Sequence, residues 1–211
     1  MTEYRLFAGD VPHVSTPEFH EHRERAPHLE QPVHRPRLDK AYQLVLDAAA
    51  RHHASGAGYS AGVTDLGCGD GGLLSLLKRH EDKYDRYDLA AWGYDFQPSN
   101  QAGWNERGVD AELLDAFAPG HPGVILGNIA VMTEVLEHLA DPHGTVQWVG
   151  THCRFVVASS PWTETPESHD ECHCWAWDQE GYRALIEQGG YTVVRHETVG
   201  QFQVILGERH D

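Results

Sequence analysis

Short apolar runs alternate with polar segments along most of the chain. Each run is short enough for a single buried strand. Several of the runs are separated by segments in which leucine and alanine recur at helical spacing. The pattern predicts strands at 63–65, 90–95, 111–114, 129–132 and 154–160 and helices at 39–52 and 73–79. Strands that alternate with helices indicate a mostly parallel sheet with helices packed on both faces.

The C-terminal part of the chain continues this pattern and then changes it. A helix is predicted at 179–188, where Gly189 and Gly190 end it, and strands are predicted at 191–195 and 202–206. The short connection between the last two strands is typical of a hairpin, so one strand runs antiparallel. We therefore expect an α/β fold with a seven-stranded, mostly parallel sheet, helices on both faces and one antiparallel strand near the C-terminus.

A glycine-rich turn follows the first predicted strand. Segment 65–71 reads DLGCGDG, and a leucine-rich helical pattern comes directly after it. Glycine has no Cβ, so a ligand can approach the backbone closely, and the helix N-terminus directs its amides toward that ligand. No Lys-Ser/Thr pair follows, which excludes the G-x-x-x-x-G-K-[ST] phosphate-binding loop. A tight strand-to-helix turn without a ligand is the alternative.

The spacing D-x-G-x-G-x-G resembles motif I of the class I S-adenosylmethionine (SAM) methyltransferases, which have a Rossmann-like fold. Three later segments resemble further parts of that family in the same order: a strand that ends in Asp95, the run 110–117, and the run 128–139. Four matches in order are far more specific than one glycine motif. The resemblance therefore covers the chain from residue 63 to residue 139 and the strands that follow.

The resemblance implies how SAM would be held. The glycine turn takes the amino-acid end, Asp95 binds the ribose hydroxyls, and Phe96 packs on the adenosine. Asp115 offers its carboxylate to the adenine amino group, and Ala116 offers its backbone amide to a ring nitrogen. The full set of residues expected to bind SAM is Asp65, Gly67, Cys68, Gly69, Gly71, Asp95, Phe96, Asp115, Ala116, Met132 and Thr133.

Length, charge and cysteine content limit the number of domains, the partners and the compartment that we expect. The chain has 211 residues, enough for one domain with a substantial core. Its 16 lysine and arginine residues against 32 aspartate and glutamate residues give a net charge of −16, which repels nucleic acid and anionic membranes. Four cysteines without disulfide or zinc spacing indicate reduced thiols. With no long apolar run and no secretory signal, we expect a cytoplasmic protein whose partner is a small molecule.

Two segments lie outside this framework. Residues 1–38 are rich in histidine, proline and charge and are expected to form an N-terminal tail or cap, with about the first 15 residues flexible. Residues 39–211 then form the SAM-binding methyltransferase domain. The loop at about 161–178 carries three tryptophans and leaves the carboxyl end of a strand, which predicts a wall of the substrate pocket. A self-packed loop cluster is the alternative.

Three histidines are candidates for a general base: His138, His169 and His173. Methyl transfer needs the acceptor held in line with the methyl carbon, and an oxygen or nitrogen acceptor often has to lose a proton. Histidine suits this role because its usual pKa lies near neutrality. The two histidines of the tryptophan-rich loop are slightly favoured as the base.

A divalent-metal site is a sharper hypothesis for the same region. In Glu134-x-x-Glu137-His138, Glu134 and His138 would share one helix face, and His173 would add a ligand from the loop. The arrangement resembles the metal site of small-RNA 2′-O-methyltransferases, and its E-x-x-E-H part resembles ubiquinone-pathway O-methyltransferases. Oxygen and imidazole ligands fit Mg²⁺ or Mn²⁺. The alternative is that no metal binds, and that Glu137 and His138 serve the N-terminus of a helix and its packing.

The sequence therefore predicts a SAM-dependent methyltransferase that acts on an oxygen or nitrogen of a small-molecule biosynthetic intermediate. Two other interpretations stay open: a metal-assisted O-methyltransferase, and a non-catalytic SAM-binding protein that retains the glycine turn. The identity of the methyl acceptor and the oligomeric state are left open as well.

Overall fold

The fold is built on strands and helices that alternate along the chain. The computed structural model describes residues 2–7, 16–56, 60–83, 88–121 and 123–209. The strands are β1 (Glu3–Arg5), β2 (Ser60–Leu66), β3 (Asp88–Asp95), β4 (Ala111–Leu113), β5 (Ile129–Thr133), β6 (Phe155–Pro161), β7 (Trp175–Trp177), β8 (Thr192–Val199) and β9 (Phe202–Glu208). The helices are α1 (Pro17–Glu21), α2 (Arg35–Ala54), α3 (Gly72–Lys83), α4 (Gln101–Arg107), α5 (Pro142–His152) and α6 (Gln179–Gln188). Within the described part of the chain, no helix is long and apolar enough to cross a membrane.

Seven of the strands form one sheet in the order β4-β3-β2-β5-β6-β9-β8. All pairs from β4 to β6 are parallel, and β9 runs antiparallel to both of its neighbours. The predicted α/β fold with one antiparallel strand near the C-terminus is confirmed. Because β2, β3 and β5 are parallel, the turns that follow them meet at one edge of the sheet, where ligands bind in open α/β sheets.

Hydrophobic cores cover both faces of the sheet. In β5, Ile129 and Val131 belong to the core that includes α2 and α3, whereas Ala130 and Met132 belong to the core that includes α5 and α6. The alternation follows from the two-residue period of a strand. Each fully buried apolar side chain contributes roughly 1.5–3 kcal/mol. The two cores therefore hold the ends of β2, β3 and β5 in fixed relative positions.

Helix α2 begins earlier than the sequence predicts, at Arg35 rather than near residue 39. Pro36 stands in its first turn, where proline is favoured because its φ suits a helix and its missing N–H would have no partner there. The extra turn carries Arg37 to the edge of the sheet. Helix α3 likewise continues to Lys83, beyond its predicted end at residue 79.

The N-terminal residues contradict part of the expected flexible tail. Strand β1 pairs antiparallel with β7, which sets Glu3 opposite Trp177 and Arg5 opposite Trp175. The Leu6 amide donates to the Cys174 carbonyl at 2.9 Å. The expectation is wrong for residues 3–5 because β7, part of the predicted pocket loop, offers them a strand edge. Residues 8–15 lie outside the described residues.

Candidate functional site

Backbone hydrogen bonds and positive φ angles determine the path of the glycine turn between β2 and α3. The amides of Gly67 and Cys68 both donate to the Tyr94 carbonyl, at 2.8 and 3.0 Å. Gly67, Gly69 and Gly71 have φ angles of 77°, 53° and 79°. Residues with a Cβ rarely adopt such angles, so glycine is needed for the turn to follow this path.

The three glycines differ in what lies beside them. A Cβ at Gly67 would lie 2.7 Å from Val135 Cγ2, and a Cβ at Gly71 would lie 2.8 Å from Val109 Cγ2. A Cβ at Gly69 would meet nothing within 4 Å. Packing therefore requires Gly67 and Gly71 to be small, whereas Gly69 has open space beside it in the cavity that the turn lines.

A cavity of about 230 Å³ lies at the edge of the sheet where β2, β3 and β5 end. Of the residues expected to bind SAM, those that line it are Asp65, Gly67, Cys68, Gly69, Asp95, Phe96 and Thr133. The remaining four, Gly71, Asp115, Ala116 and Met132, are not among its lining residues. Asp115 instead accepts a bond from the amide of Phe117, which lines the cavity, at 2.9 Å. The cavity thus brings together seven of the eleven expected residues.

Asp95 joins the end of β3 to the glycine turn. Its Oδ2 accepts a hydrogen bond from the Gly69 amide at 2.9 Å. Its Oδ1 accepts bonds from the Gln97 amide at 2.8 Å and from Asn100 Nδ2 at 3.1 Å. Burial raises the pKa of Asp95, while these donors act in the opposite direction. Three donors from two loops hold the carboxylate in one orientation at the cavity wall.

Asp65, at the end of β2, is a buried carboxylate without donors. Its side chain is 1% exposed, and neither oxygen has a hydrogen-bond partner among the described residues. Burial, together with the charge of Asp95, raises the pKa of Asp65 to about 7. A buried polar group without partners is unfavourable, so Asp65 has unused capacity to bind a donor in the cavity.

Arg37 also lines the cavity, and sequence reasoning missed it. Its side chain is 1% exposed, and Nη1 lies 3.2 Å from Glu134 Oε1. The guanidinium lies over the Phe202 ring, 5.1 Å from its centroid. Burial lowers the pKa of Arg37 to about 10, so the group stays positive at neutral pH. In the sequence, Arg37 is an arginine at the start of a helix, and nothing in the pattern distinguishes it from an arginine on the surface.

A second set of lining residues comes from residues 16–34, which we call the cap. They belong to the segment expected to form a tail or cap, but the sequence did not indicate which of its residues would reach the cavity. The cap contributes to the cavity wall His20, Arg23, Glu24, Ala26 and His28. Gln97 Nε2 donates to the carbonyls of Arg23 and Glu24, at 3.1 Å each. Arg25 pairs with Asp70 of the glycine turn at 3.2 Å. The cap is therefore attached to the elements that carry the expected cofactor residues, and its content of histidine, proline and charge was the sequence signal for it.

Glu134 and His138 do not share a helix face, contrary to the sequence prediction. Its φ is 58°, and the short 3₁₀ turn that follows covers only Leu136–His138. The Glu134 amide donates to the Ser159 carbonyl at 3.0 Å, and Oε1 accepts a bond from Ser159 Oγ at 2.9 Å. A positive φ is uncommon for residues other than glycine, and the backbone strain that it causes is found most often at functional sites. The carboxylate lies beside Arg37, and Glu134 is not part of the compact group that Glu137 and His138 form with His173.

Glu137, His138 and His173 form a compact group, in which one ligand atom from each residue lies within 4.8 Å of the other two. His138 Nδ1 donates to the Cys172 carbonyl at 3.1 Å. His173 Nδ1 donates to Glu164 Oε2 at 2.6 Å. In each neutral ring the lone pair is therefore on Nε2. The structure brings together three of the four residues expected to bind a metal.

Burial sets the ionisation of Glu137 and His138. Glu137 is 1% exposed, and neither of its oxygens has a hydrogen-bond partner within the described ranges. Burial raises the pKa of Glu137 to about 8. Burial, together with His173 and His20, lowers the pKa of His138 to about 3. At neutral pH, His138 is therefore uncharged, and it lines the cavity.

The loop between β6 and α6 holds the predicted tryptophans and two of the predicted histidines. His169 is exposed, and its Nδ1 donates to the Asp170 carbonyl at 2.7 Å. Trp175 and Trp177 stack with centroids 6.2 Å apart, and Trp177 Nε1 donates to Glu3 Oε2 at 2.7 Å. None of the loop tryptophans, nor His169 or His173, lines the cavity. Trp175 and Trp177 pack on one another and lie in the strand that pairs with β1, which favours the alternative of a self-packed cluster. A wall of the substrate pocket stays a prediction for this loop.

Comparison with known proteins adds a family match. A family model described as a methyltransferase domain matches residues 40–197. The matched segment contains the glycine turn, Asp95 and the pair Glu137–His138, and it begins inside α2. No curated protein matches the chain at a significant level.

Solved structures share the fold at low sequence identity. The N-methyltransferase NodS from Bradyrhizobium japonicum, solved with S-adenosyl-L-homocysteine, is 14% identical with a TM-score of 0.65, over 92% of this chain and 96% of that chain. Magnesium protoporphyrin IX methyltransferase from Synechocystis, solved with bound SAM, is 16% identical with a TM-score of 0.55, over 80% and 79%. The [4+2]-cyclase SpnF is 11% identical with a TM-score of 0.55, over 71% and 74%. These likenesses show the fold, which supports more than one reaction.

Proposed function

We propose that this class I SAM-dependent methyltransferase, a member of the methyltransferase domain family, transfers the methyl group of SAM to an oxygen or nitrogen of a small molecule. One observation carries the proposal: Gly69 has open space beside it in the cavity, and its amide is bonded to Asp95. This arrangement offers an approachable backbone and a carboxylate to a single nucleoside ligand.

In this proposal, the amino-acid end of SAM lies at the glycine turn and the ribose hydroxyls lie at Asp95. Phe96 packs on the adenosine, and Phe117 supports the assignment by adding a second aromatic ring to the cavity wall. Asp115 and Ala116 are assigned to the adenine edge. Residues 1–38 act as the N-terminal segment with its cap, and residues 39–211 act as the SAM-binding domain, joined by helix α2.

We assign the general base to His138 rather than to the loop histidines. His138 lines the cavity, and the Cys172 carbonyl holds its Nδ1 proton, which leaves Nε2 to accept a proton from the methyl acceptor. Because burial lowers the pKa of His138 to about 3, it is a weak base and takes the proton only as methyl transfer makes the acceptor oxygen or nitrogen acidic. His173 packs against His138 with ring centroids 4.7 Å apart, so its role is to orient His138. His169 is exposed and is assigned no part in the reaction.

A metal-assisted reaction is the second candidate, favoured by Glu137, His138 and His173. The donor set fits an ion, because hydrogen-bond acceptors hold both Nδ1 protons and the buried Glu137 carboxylate lacks partners that a cation would supply. Such an ion would act as a Lewis acid on an acceptor oxygen. Two imidazoles and one carboxylate suit Mn²⁺ better than Mg²⁺, which prefers oxygen ligands.

Methyl transfer is tested with SAM that carries a labelled methyl group. The protein is incubated with small molecules that co-purify with it, identified by mass spectrometry, and with a broad panel of alcohols, phenols and amines. We expect label in one small molecule and an equal amount of S-adenosylhomocysteine. Tight SAM binding without transfer to any acceptor would instead favour the non-catalytic SAM-binding alternative.

Chelation separates the two catalytic candidates. If a metal takes part, EDTA should remove methyl transfer and Mn²⁺ or Mg²⁺ should restore it. Glu137→Gln should then lower metal affinity in calorimetry while SAM affinity stays unchanged, and His169→Asn is the matched control on the exposed loop. If His138 acts alone, EDTA-treated protein keeps its full rate and His138→Asn loses it.

A further inference from the structure

His20 brings an unused hydrogen-bond donor from the cap to the cavity wall. Arg23 Nη1 lies 3.3 Å from His20 Nδ1, and Nδ1 accepts this bond because a guanidinium can only donate. An Nδ1 that accepts carries no proton, so the ring is uncharged and its proton is on Nε2. His20 Nε2 is buried and has no hydrogen-bond partner among the residues that the structure describes. The ring therefore has a fixed N–H group that is available to a ligand in the cavity.

His138 offers the opposite kind of group beside it. Its Nδ1 donates to the Cys172 carbonyl at 3.1 Å, so Nε2 of the uncharged ring carries a lone pair. The rings of His20 and His138 have centroids 5.2 Å apart and planes at 76°, and both residues line the cavity. Phe96 meets the His20 ring edge to face, with centroids 6.5 Å apart. Two neighbouring imidazoles therefore present one donor and one acceptor, each fixed by a contact within the protein.

A hydroxyl group matches both rings at once. It has one proton to donate and two lone pairs that can accept. Its proton fits the lone pair of His138, one oxygen lone pair accepts the N–H of His20, and the second oxygen lone pair stays free. A neutral amine has a single lone pair, so a hydrogen bond from His20 would occupy the electrons that must attack the methyl carbon. An ammonium group has no lone pair at all, so neither form of an amine fits this pair of rings.

We propose that His20 and His138 together select a hydroxyl group as the methyl acceptor, so that the protein is an O-methyltransferase. The free lone pair of the oxygen forms the bond to the methyl carbon, and the electrons of the breaking carbon–sulfur bond stay on sulfur. The hydroxyl proton passes to His138 Nε2, which leaves a methyl ether and S-adenosylhomocysteine. His20 keeps its own proton and holds the oxygen in place. This selection rests on the proposed function, because it requires SAM in the cavity and His138 beside the acceptor.

The tautomers of the two rings are measured without any reaction. In proton–nitrogen correlation NMR spectra of the protein with isotope-labelled histidine, the protonated and unprotonated nitrogens of an uncharged ring give separate signals. The variants His20→Gln and His138→Gln assign the signals, because each removes one set. We expect the proton on Nε2 of His20 and on Nδ1 of His138. The opposite tautomer in either wild-type ring, or a charged His20 at neutral pH, would overturn the proposal.

Matched acceptors test the selection itself. Labelled SAM is supplied with pairs of compounds that differ only in the acceptor group: phenol and aniline, catechol and ortho-phenylenediamine, benzyl alcohol and benzylamine. We expect kcat/KM to be at least roughly tenfold higher for the hydroxyl member of a pair, because an amine leaves one ring unsatisfied. His20→Leu should lower kcat/KM for the hydroxyl acceptor roughly 2- to 12-fold, the range for a neutral hydrogen bond, while SAM affinity in calorimetry stays within about twofold. His20→Gln, whose amide donates from about the position of Nε2, should recover most of the rate.

His22→Leu is the matched control, because His22 is exposed in the same part of the cap and is not among the lining residues of the cavity. Its rates and SAM affinity should equal those of the wild type. Equal or faster transfer to the amine of a pair would refute the selection, and an unchanged rate in folded His20→Leu would mean that His20 does not bind the acceptor.

A second comparison covers the case in which His20→Leu does not fold. His20→Asn places its amide near the position of Nδ1, so it should be slower than His20→Gln, and equal rates in these two variants would count against the donor role. A wild-type chain that binds SAM but methylates none of the compounds, nor any that co-purifies, removes the proposed transfer and the selection together. Transfer that does not depend on His20, or that favours amines, removes the selection alone.

Discussion

At the scale of single residues, the candidate site is marked by buried polar atoms that lack partners. Buried polar groups in folded proteins are nearly always hydrogen-bonded. Asp65, Arg37 and Glu137 are each 1% exposed, and each carries buried atoms without partners among the described residues. The three lie at the end of the sheet where the cavity is found. Their unused bonding capacity is what a ligand or an ion would satisfy under the proposed function.

Gly69→Val should abolish SAM binding. The added side chain would occupy the open space beside Gly69, where the ligand is proposed to lie, at a φ of 53°. Gly200→Val is the control, because Gly200 has a φ of 59°, also has open space and stands in the surface turn between β8 and β9. Both variants should lose about 1–2 kcal/mol of stability from the backbone angle. Calorimetry should show lost SAM affinity in the first variant only, and equal affinity in both would refute the assignment of the cavity.

Asp95→Ala should weaken SAM by roughly 1.5–3 kcal/mol, the range for a hydrogen bond to a charged group. The substitution removes the proposed partner of the ribose and also frees the Gly69 amide that Asp95 now holds. Asp110→Ala, at an exposed carboxylate close by in the chain, should leave affinity unchanged. Titration of SAM into both variants is the measurement, and wild-type affinity in Asp95→Ala would contradict the ribose role.

At the scale of secondary-structure elements, β1 ties the N-terminus to the loop that holds His173. The pairing of β1 with β7 joins residues far apart in sequence, and the Asp178 amide extends it by donating to the Thr2 carbonyl at 3.1 Å. Trp177 Nε1 adds a side-chain bond to Glu3. The order of this loop therefore depends on a segment that its own composition does not reveal.

Deletion of residues 2–6 should loosen β7 without unfolding the sheet. Within the peptide 175–178, the amides of Ala176 and Asp178 should exchange with solvent at least roughly tenfold faster, because they face β1 in the antiparallel pair, while amides of β5 keep their protection. Glu3→Ala keeps the backbone pairing and should leave exchange at 175–178 nearly unchanged. Hydrogen exchange followed by mass spectrometry is the measurement. Unchanged protection at 175–178 in the deletion variant would mean that β1 does not support the loop.

At the scale of the whole molecule, buried ionisable groups make stability depend on pH from two sides. Burial lowers the pKa of His28 and His138 to about 3 and of His20 to about 4. Burial raises the pKa of Asp65 to about 7 and of Glu137 to about 8. Below about pH 6.5 the unfolded chain binds more protons at histidine, so stability falls as pH falls. Toward pH 8 the folded chain holds extra protons on the two carboxyl groups, so stability falls as pH rises.

The free energy of unfolding should therefore be largest near pH 6.5 and smaller at pH 5 and pH 8.5. Calorimetric melting of the ligand-free protein across this range is the measurement. Glu137→Gln should flatten the alkaline side, because it removes one of the two buried carboxyl groups that must ionise there. A melting temperature that rises steadily from pH 6.5 to 8.5 would contradict the protonated state of these carboxyl groups.

The architecture of the sheet was predictable from the sequence to within a few residues at each element. The strand that ends in Asp95 and the helix that ends at Gln188 appear where the apolar pattern and the Gly189-Gly190 stop place them. The start of α2 and the end of α3 were predicted less well, because residues 35–37 and 80–83 include no apolar residue that continues the helical period, apart from proline. The sequence left open whether the tryptophans of the loop line a pocket or pack on one another, because composition does not show what a ring packs against.

The amino-acid sequence by itself determined the order of the seven strands of the main sheet along the chain and the glycine turn. These features depend on local properties: the period of apolar residues along a strand or helix, and the need for glycine where φ is positive. Only the tertiary structure decided that Arg37 meets Glu134, that Glu137 and His138 meet His173, and that the cap closes the cavity. The physical reason is that burial and charge pairing are set by neighbours distant in sequence, and these determine whether a polar residue is solvated surface or part of a site.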